Sequence, residues 1–409
     1  MGLSAGVIAT SASNVFRPVL CGSTIQVAPR RCLRLRKLRI RNLRTKARVH
    51  NSMVQLLTPE GTLLEHPDFA WEGTPDDLRA NLRDMWLGRR FDAEATALQR
   101  HGELGLWPPQ LGQEAAQIGA ARALAPRDHV FPSYREHAMA LALGFPMQQM
   151  LKFFRGCDAG YWDMQHRFRT YTLVIGAQTL HAVGYAMGLQ FDGVVGNADP
   201  SANEAVMVFH GDGASSQGDV NEAYVFAASY NAPVVFFCQN NQWAISEPTS
   251  LQSRIPLFER ARGFGFPGVR VDGNDVLAVE SVSRWAMERA RRGEGPTLVE
   301  AYTYRMGAHT TADDPTKYRG DDEDAAWRER DPINRLVAYL RRIDEIDDAY
   351  LAELEREADD LGADTRAAVA QLRDVTMEEL FAGVYAEPTV ELAAQQREHS
   401  DFVRSFEEA

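Results

Sequence analysis

Two short polar clusters at the ends of apolar runs carry the strongest chemical signal in the chain. Ala205–His210 (AVMVFH) has the length and apolarity of a strand and ends in Gly211-Asp212-Gly213. A second apolar run, Val234–Cys238, ends in Gln239-Asn240-Asn241. Taken alone, each ending reads as a tight turn, because Gly, Asp and Asn favour such backbone. Together they say more. The 26 residues 214–239 that separate Gly213 from Asn240 fit one crossover helix and one strand. Parallel strands joined in that way end at the same sheet edge, where open α/β sheets bind ligands. Asp212 and Asn241 should then converge. A carboxylate and an amide oxygen are hard ligands suited to Mg²⁺, whose shell is commonly completed by phosphates. Gly211, Gly213 and the small Ala214 and Ser215 let backbone N–H groups approach a phosphate. The implied object is a divalent cation bridging protein to a diphosphate.

The elements that must position these groups follow from the surrounding pattern. Thr74, Pro75 and Asp77 form a capping-box start for a helix over 74–100, with Leu78, Leu82, Met85 and Trp86 at helical spacing. Segment 101–112 reads as a loop, 113–124 as a helix, and the stretch holding Phe131, Pro132, Ser133, Tyr134 and Arg135 as a loop. Residues 219–230 favour helix and close a βαβ unit. A strand at 269–271, a helix at 276–292 and a strand at 297–302 continue the alternation. Residues 305–324 are polar and irregular and read as a long loop of functional character. From Asp331-Pro332 onward the chain reads as mostly helical. The expected class is α/β, a mostly parallel sheet with helices on both faces plus helical N- and C-terminal extensions. The expected organisation is a tail over 1–53, a ligand-binding α/β domain over 54–330 and a helical extension over 331–409. The Gly263–Gly268 stretch satisfies GxGxxG, but a helical pattern precedes it and a strand follows, the reverse of a dinucleotide turn.

GDG, 26 residues and NN closely resemble the thiamine diphosphate signature. LGQEAAQIGAA (111–121), FPSYRE (131–136), GAQTLHAVG (176–184), NNQWAIS (240–246), VRVDGNDVLAV (269–279) and TYRMGAHTTADDPTKYR (303–319) are similar to the α subunit of the heterotetrameric 2-oxo acid dehydrogenases. The resemblance covers roughly residues 74–409 and implies the thiamine diphosphate-binding fold. It places Mg²⁺ ligands on Asp212, Asn241 and the backbone carbonyl of Trp243, and a diphosphate-contacting turn on Gly213 and Ala214. Tyr134 and Arg135 match a pair that reaches the cofactor. Ile175 matches the aliphatic side chain that holds thiamine bent. His309 matches a catalytic loop histidine beside the diphosphate, and Arg305 and Arg319 match positions that order that loop. Departures exist too. The family often carries Arg at Gln239, His at Ala308 and Asn at Val225; Thr310 stands where mitochondrial relatives carry a phosphorylated Ser, so kinase control is not implied.

The chemistry implied by the resemblance is oxidative decarboxylation of a 2-oxo acid with acyl transfer to the lipoyl group of an acyltransferase partner. It also implies a β subunit that supplies the Glu activating the cofactor, in an α₂β₂ tetramer. NNQWAIS and HTTADD look more like branched-chain relatives, with pyruvate dehydrogenase as the alternative. On the residues alone, a Mg²⁺-dependent phosphohydrolase and a non-catalytic scaffold remain open. The first would need further carboxylates near Asp212; intact Asp212, Asn241 and His309 argue against the second.

The charge is unevenly spread. The 409 residues carry a formal −12, yet residues 1–53 hold 11 Lys+Arg and no acid, leaving 33 basic against 56 acidic residues afterwards, a net of −23. Such a body excludes a nucleic-acid binder, and no apolar run approaches the ~20 residues of a membrane span. The Arg-rich tail reads as a transit peptide, a basic arm for an anionic partner, or an extension upstream of a start at Met53. The excess of Arg over Lys and the wealth of Ala favour the last, with a bacterial cytoplasmic location; a transit peptide would mean the mitochondrial matrix. Cys21, Cys32, Cys157 and Cys238 show no metal spacing and read as reduced thiols.

Overall fold

Thr74 caps the first helix in the predicted manner: its side chain accepts from the Asp77 N–H while Asp77 bonds back to the cap. The computed structural model describes residues 53–407 except Ala159 and Tyr161. The basic tail with Cys21 and Cys32 therefore lies outside the described residues. Helix α1 (Pro75–Arg100) is followed by α2 (Glu114–Arg122), strand β1 (His129–Phe131), α3 (His137–Ala142), α4 (Met147–Arg155) and α5 (Ala177–Phe191). Then come β2 (Val206–Gly211), α6 (Gly218–Tyr230), β3 (Val234–Asn240) and a hairpin of β4 (Trp243–Ala244) and β5 (Glu247–Pro248). The one-turn α7 (Thr249–Gln252), α8 (Arg260–Phe264), β6 (Gly268–Asp272), α9 (Val276–Arg291) and β7 (Thr297–Tyr302) complete the α/β body. Helices α10 (Asp321–Arg328), α11 (Pro332–Arg342), α12 (Asp348–Ala370), α13 (Met377–Ala382) and α14 (Val390–Glu407) follow.

The five-stranded sheet is entirely parallel, in the order β1-β2-β3-β7-β6. Its strands read as unbroken apolar runs because both faces are covered. Val206, Val208, Val234, Phe236 and Cys238 pack with α5 and α6, whereas Met207, Phe209, Val235 and Phe237 pack on the side of α2 and α9. Cys238 is fully buried and, like Cys157, free. Leu354 and Val369 of α12 join the same core as Leu82 and Met85 of α1. Among the described residues no helix is long and apolar enough to cross a membrane.

Two segments differ from the sequence expectation. His129–Phe131, read as loop, is the edge strand β1; its three residues are too few to show a period. Asp321–Asp324, read as the end of a long loop, form the first turn of α10, where acids suit the helix dipole and Trp327 is buried against Tyr304. The rejected GxGxxG segment does run from α8 into β6, and a Cβ at Gly268 would meet the Phe258 carbonyl at 2.1 Å.

Candidate active site

Register fixes where the strand ends lie. Gly211 pairs with Gln239 and Asn240 with Tyr302, so β2, β3 and β7 terminate level with one another. The segments leaving β1, β2, β3 and β7 enclose one cavity of about 210 Å³. After β1 come Tyr134 and Arg135; from the last residue of β2 onward, Gly211 to Ala214; after β3, Asn241 and Trp243; after β7, His309. Ile175, just before α5, closes a side. All ten site residues expected from the sequence therefore line a single cavity.

Asp212 is buried, and its Oδ2 accepts from Thr249 Oγ1 (2.8 Å) and Gln252 Nε2 (3.1 Å). Burial pushes its carboxyl pKa up, and those two donors pull the other way. Asn241 donates from Nδ2 to Gln113 Oε1 (3.1 Å) and accepts from the Trp243 N–H at 3.3 Å. The Trp243 carbonyl accepts from Arg305 Nη1 at 2.8 Å, which leaves it a second lone pair. A Cβ on Gly213 would stand 2.7 Å from Ala244 Cβ, so the turn after β2 sits tightly on β4. The turn after β3 is strained: Gln242 and Ile245 have φ of 72° and 56°, and for a β-branched residue such as Ile245 the left-handed region is costly.

Two buried guanidiniums flank the cavity. Arg135 donates to the carbonyls of Pro109 (2.6 Å) and His309 (3.0 Å). Arg305, wholly buried, donates to the carbonyls of Trp243 and Ile245 and to Tyr318 Oη (2.9 Å). Among the described residues neither has a carboxylate within ion-pair distance, and burial beside other arginines lowers Arg305 to about 10. Tyr318 in turn donates to Asp313, whose Oδ2 accepts the His309 N–H at 2.8 Å. Arg319 donates to the Arg305 carbonyl and stacks over Tyr304. The two arginines thus tie the 303–320 segment in the way expected of them. His309 Nδ1 lies 3.4 Å from Arg135 and 3.3 Å from Arg305, and burial together with those charges lowers it to about 3. Tyr134 meets its ring edge-on at 6.2 Å.

Sequence reasoning passed over Gln113, Glu136 and Gln178, which also line the cavity. Gln113 Nε2, Gln178 Oε1 and Gln239 Oε1 are buried without a hydrogen-bond partner. Such atoms cost roughly 1–3 kcal/mol each when unpaired, so the lining suits a polar ligand. Arg135 in the lining and Arg305 behind it bring positive charge to this wall, beside the buried carboxylates of Asp212 and Glu136. The available signal was Gln113 and Gln178 inside small or apolar stretches, LGQEAA and GAQT; Glu136 stands in the polar SYRE and has none.

The sequence pattern of the family described as dehydrogenase E1 component matches residues 82–374. The chain belongs to that family. Relatives agree. It is 42% identical over 351 residues to the 3-methyl-2-oxobutanoate dehydrogenase subunit alpha of Mycobacterium tuberculosis, covering 84% of this chain and 92% of the relative. It is 38% identical over 326 residues (78% and 91% of the two chains) to the pyruvate dehydrogenase E1 component subunit alpha of Acholeplasma laidlawii. It is 39% identical over 291 residues (70% and 76%) to that of Staphylococcus aureus. This E1 α chain is accordingly the α subunit of a thiamine diphosphate-dependent 2-oxo acid dehydrogenase, a class that works with a β subunit and an acyltransferase. The phosphohydrolase and scaffold readings fall away.

Proposed function

We propose that this E1 α chain binds thiamine diphosphate through Mg²⁺ in the cavity at the carboxyl edge of its sheet, for oxidative decarboxylation of a branched-chain 2-oxo acid. The presence of Asp212, Asn241 and Trp243 in one cavity lining at that edge is the observation that supports it most. Among the described residues no group of three or more His, Cys, Asp or Glu is placed to hold a metal, so the cation would rest on one carboxylate, one amide and one carbonyl. That donor set leaves coordination positions for phosphate oxygens, as Mg²⁺ favours. The turn Gly213-Ala214 and the amide of Gln113 would face the diphosphate, and Arg135 and Arg305 would offset its charge. Bound there, the cofactor supplies the nucleophile and electron sink for loss of CO₂. Ile175 would press on its ring system from the side of α5. His309, neutral and held by Arg135 and Arg305, would offer a hydrogen bond to the reacting 2-oxo acid.

The branched-chain substrate is supported by the relative whose name specifies 3-methyl-2-oxobutanoate and by the NNQWAIS and HTTADD segments; the pyruvate dehydrogenase relatives support the alternative. The assembly proposed is an α₂β₂ tetramer, docking on a lipoyl-bearing acyltransferase core in the bacterial cytoplasm. We further propose that 54–330 forms the cofactor-binding unit and 331–409 its helical extension, with 1–53 outside the working enzyme.

Removing the Asp212 carboxylate tests the site directly. Asp212→Ala should abolish Mg²⁺-dependent thiamine diphosphate binding in calorimetry of the assembled tetramer, and unchanged affinity would sink the metal assignment. On the wild-type tetramer, initial rates with 3-methyl-2-oxobutanoate should exceed those with pyruvate; the opposite order selects the alternative.

A further inference from the structure

One carboxylate in the cavity wall is not among the groups proposed to hold the cation or the diphosphate. Glu136 is buried, and its two oxygens gather donors from two separate elements. From its own turn, the Ser133 N–H (2.7 Å) and Ser133 Oγ (2.9 Å) donate to Oε2. From the end of β3, Gln239 Nε2 donates to Oε1 at 2.5 Å. The first set holds the turn that presents Tyr134 and Arg135. The second fixes the Gln239 amide: a carboxylate only accepts, so Nε2 turns toward Glu136 and Oε1, which has no partner, is left buried. Burying a carboxylate is costly unless its charge is fully hydrogen-bonded, so an apolar side chain would fill this space at lower cost if packing were its only purpose.

We infer that Glu136 is a positioning residue, a strap that joins the Tyr134–Arg135 turn after β1 to the Gln239 end of β3 across the cofactor cavity. The inference rests on the cofactor reading of that cavity. It also accounts for the uncharged residue at 239, where the family often carries Arg: here the position serves the strap by donating to Glu136, and the cationic contacts fall to Arg135 and Arg305.

The test assembles variant α chains with the β subunit and measures apparent KM for thiamine diphosphate, kcat and thermal midpoint. Glu136→Gln keeps the size but removes the charge: its amide oxygen can still accept from Ser133 and its N–H₂ can meet a turned Gln239 amide, leaving only neutral bonds. Loss of a charge-assisted bond should raise cofactor KM by about tenfold or more, with a smaller change in kcat. Gln239→Glu opposes two carboxylates and should be worse. The exchange Glu136→Gln with Gln239→Glu restores a matched donor and acceptor and should recover most of the KM loss, whereas a merely structural role would move the thermal midpoint and leave KM near wild type across the series. An unchanged KM in Glu136→Gln, or an exchange no better than Gln239→Glu, overturns the strap. Should Glu136→Gln fail to assemble, Gln239→Leu cuts only the cross-strand bond and decides the same point: raised KM supports the strap, unchanged KM overturns it. Asp212→Ala separates the two levels. If it abolishes cofactor binding while the strap variants do nothing, only the strap falls; if it too has no effect, the cofactor reading fails.

Discussion

At His309 the two ring nitrogens face different surroundings. Nδ1 is approached by guanidiniums of Arg135 and Arg305, which can only donate, so Nδ1 accepts and the proton resides on Nε2. With its folded-state pKa lowered to about 3 by burial and those charges, the ring stays neutral as pH rises through its ordinary value near 6.5. His309 should therefore contribute no limb to the kcat profile of the assembled enzyme between about pH 5 and 8. His309→Gln should lower kcat roughly 10²-fold, as removal of one preorganised donor does, while leaving the profile's shape intact. A limb near 6.5 that vanishes in the variant would contradict this. At this scale the sequence was readable only in places. Asp212 and Asn241 stand at strand ends, where residue type and spacing alone suggest a cation. His309 and Ile175 came through the family resemblance, since a loop histidine and an aliphatic residue have no chemical signature of their own. Glu136 and Gln113 sit at the starts of helices, where polar residues ordinarily face water; both are instead buried against the end of β3, through Gln239 and Asn241, a long-range contact that no local pattern announces.

The elements hold these groups by close backbone approach as much as by hydrogen bonds. The turn after β2 touches β4 where Gly213 faces Ala244, and a Cβ there would stand at 2.7 Å. Gly213→Ala must displace either the Asp212 turn or the strained Gln242–Ile245 turn, and overpacking of this kind costs about 1–3 kcal/mol. The expected result is thiamine diphosphate affinity lowered by about tenfold or more, with far-UV circular dichroism unchanged because the sheet is untouched. Wild-type affinity would show that β4 can yield without moving Asn241 or Trp243. The βαβ core was legible because runs such as AVMVFH and VVFFC are buried on both faces and bounded by turn residues. Other elements were not, β1, α5 and α10 among them. β1 is too short to show a period. α5 carries Gly184 and Gly188 within a small, mostly apolar stretch that gives no clean stripe. α10 opens on four consecutive acids that look like loop until their fit to a helix N-terminus is considered.

Charge and volume together decide what the whole molecule can do by itself. The chain after residue 53 carries a net −23, so bulk charge cannot hold an anionic cofactor. The attraction must be local; Arg135 in the cavity lining and Arg305 behind it are buried cations on this side of the sheet. The cavity they flank measures about 210 Å³, below the ~300–1,000 Å³ that usually encloses a cofactor-sized ligand. Its lining comes from the ends of β1, β2, β3 and β7. That leaves the far portion of the ligand to be covered by another surface, consistent with an α subunit whose family works with a β partner. The purified chain should consequently bind thiamine diphosphate weakly and fail to release CO₂ from 3-methyl-2-oxobutanoate or pyruvate. Titrating in the β subunit should restore both properties together and saturate at equimolar chains. Restoration of tight binding without turnover would place the missing groups in catalysis alone. Turnover by the α chain with no β subunit present would mean that the cavity is complete as it stands, and the division of the site between two subunits would be wrong.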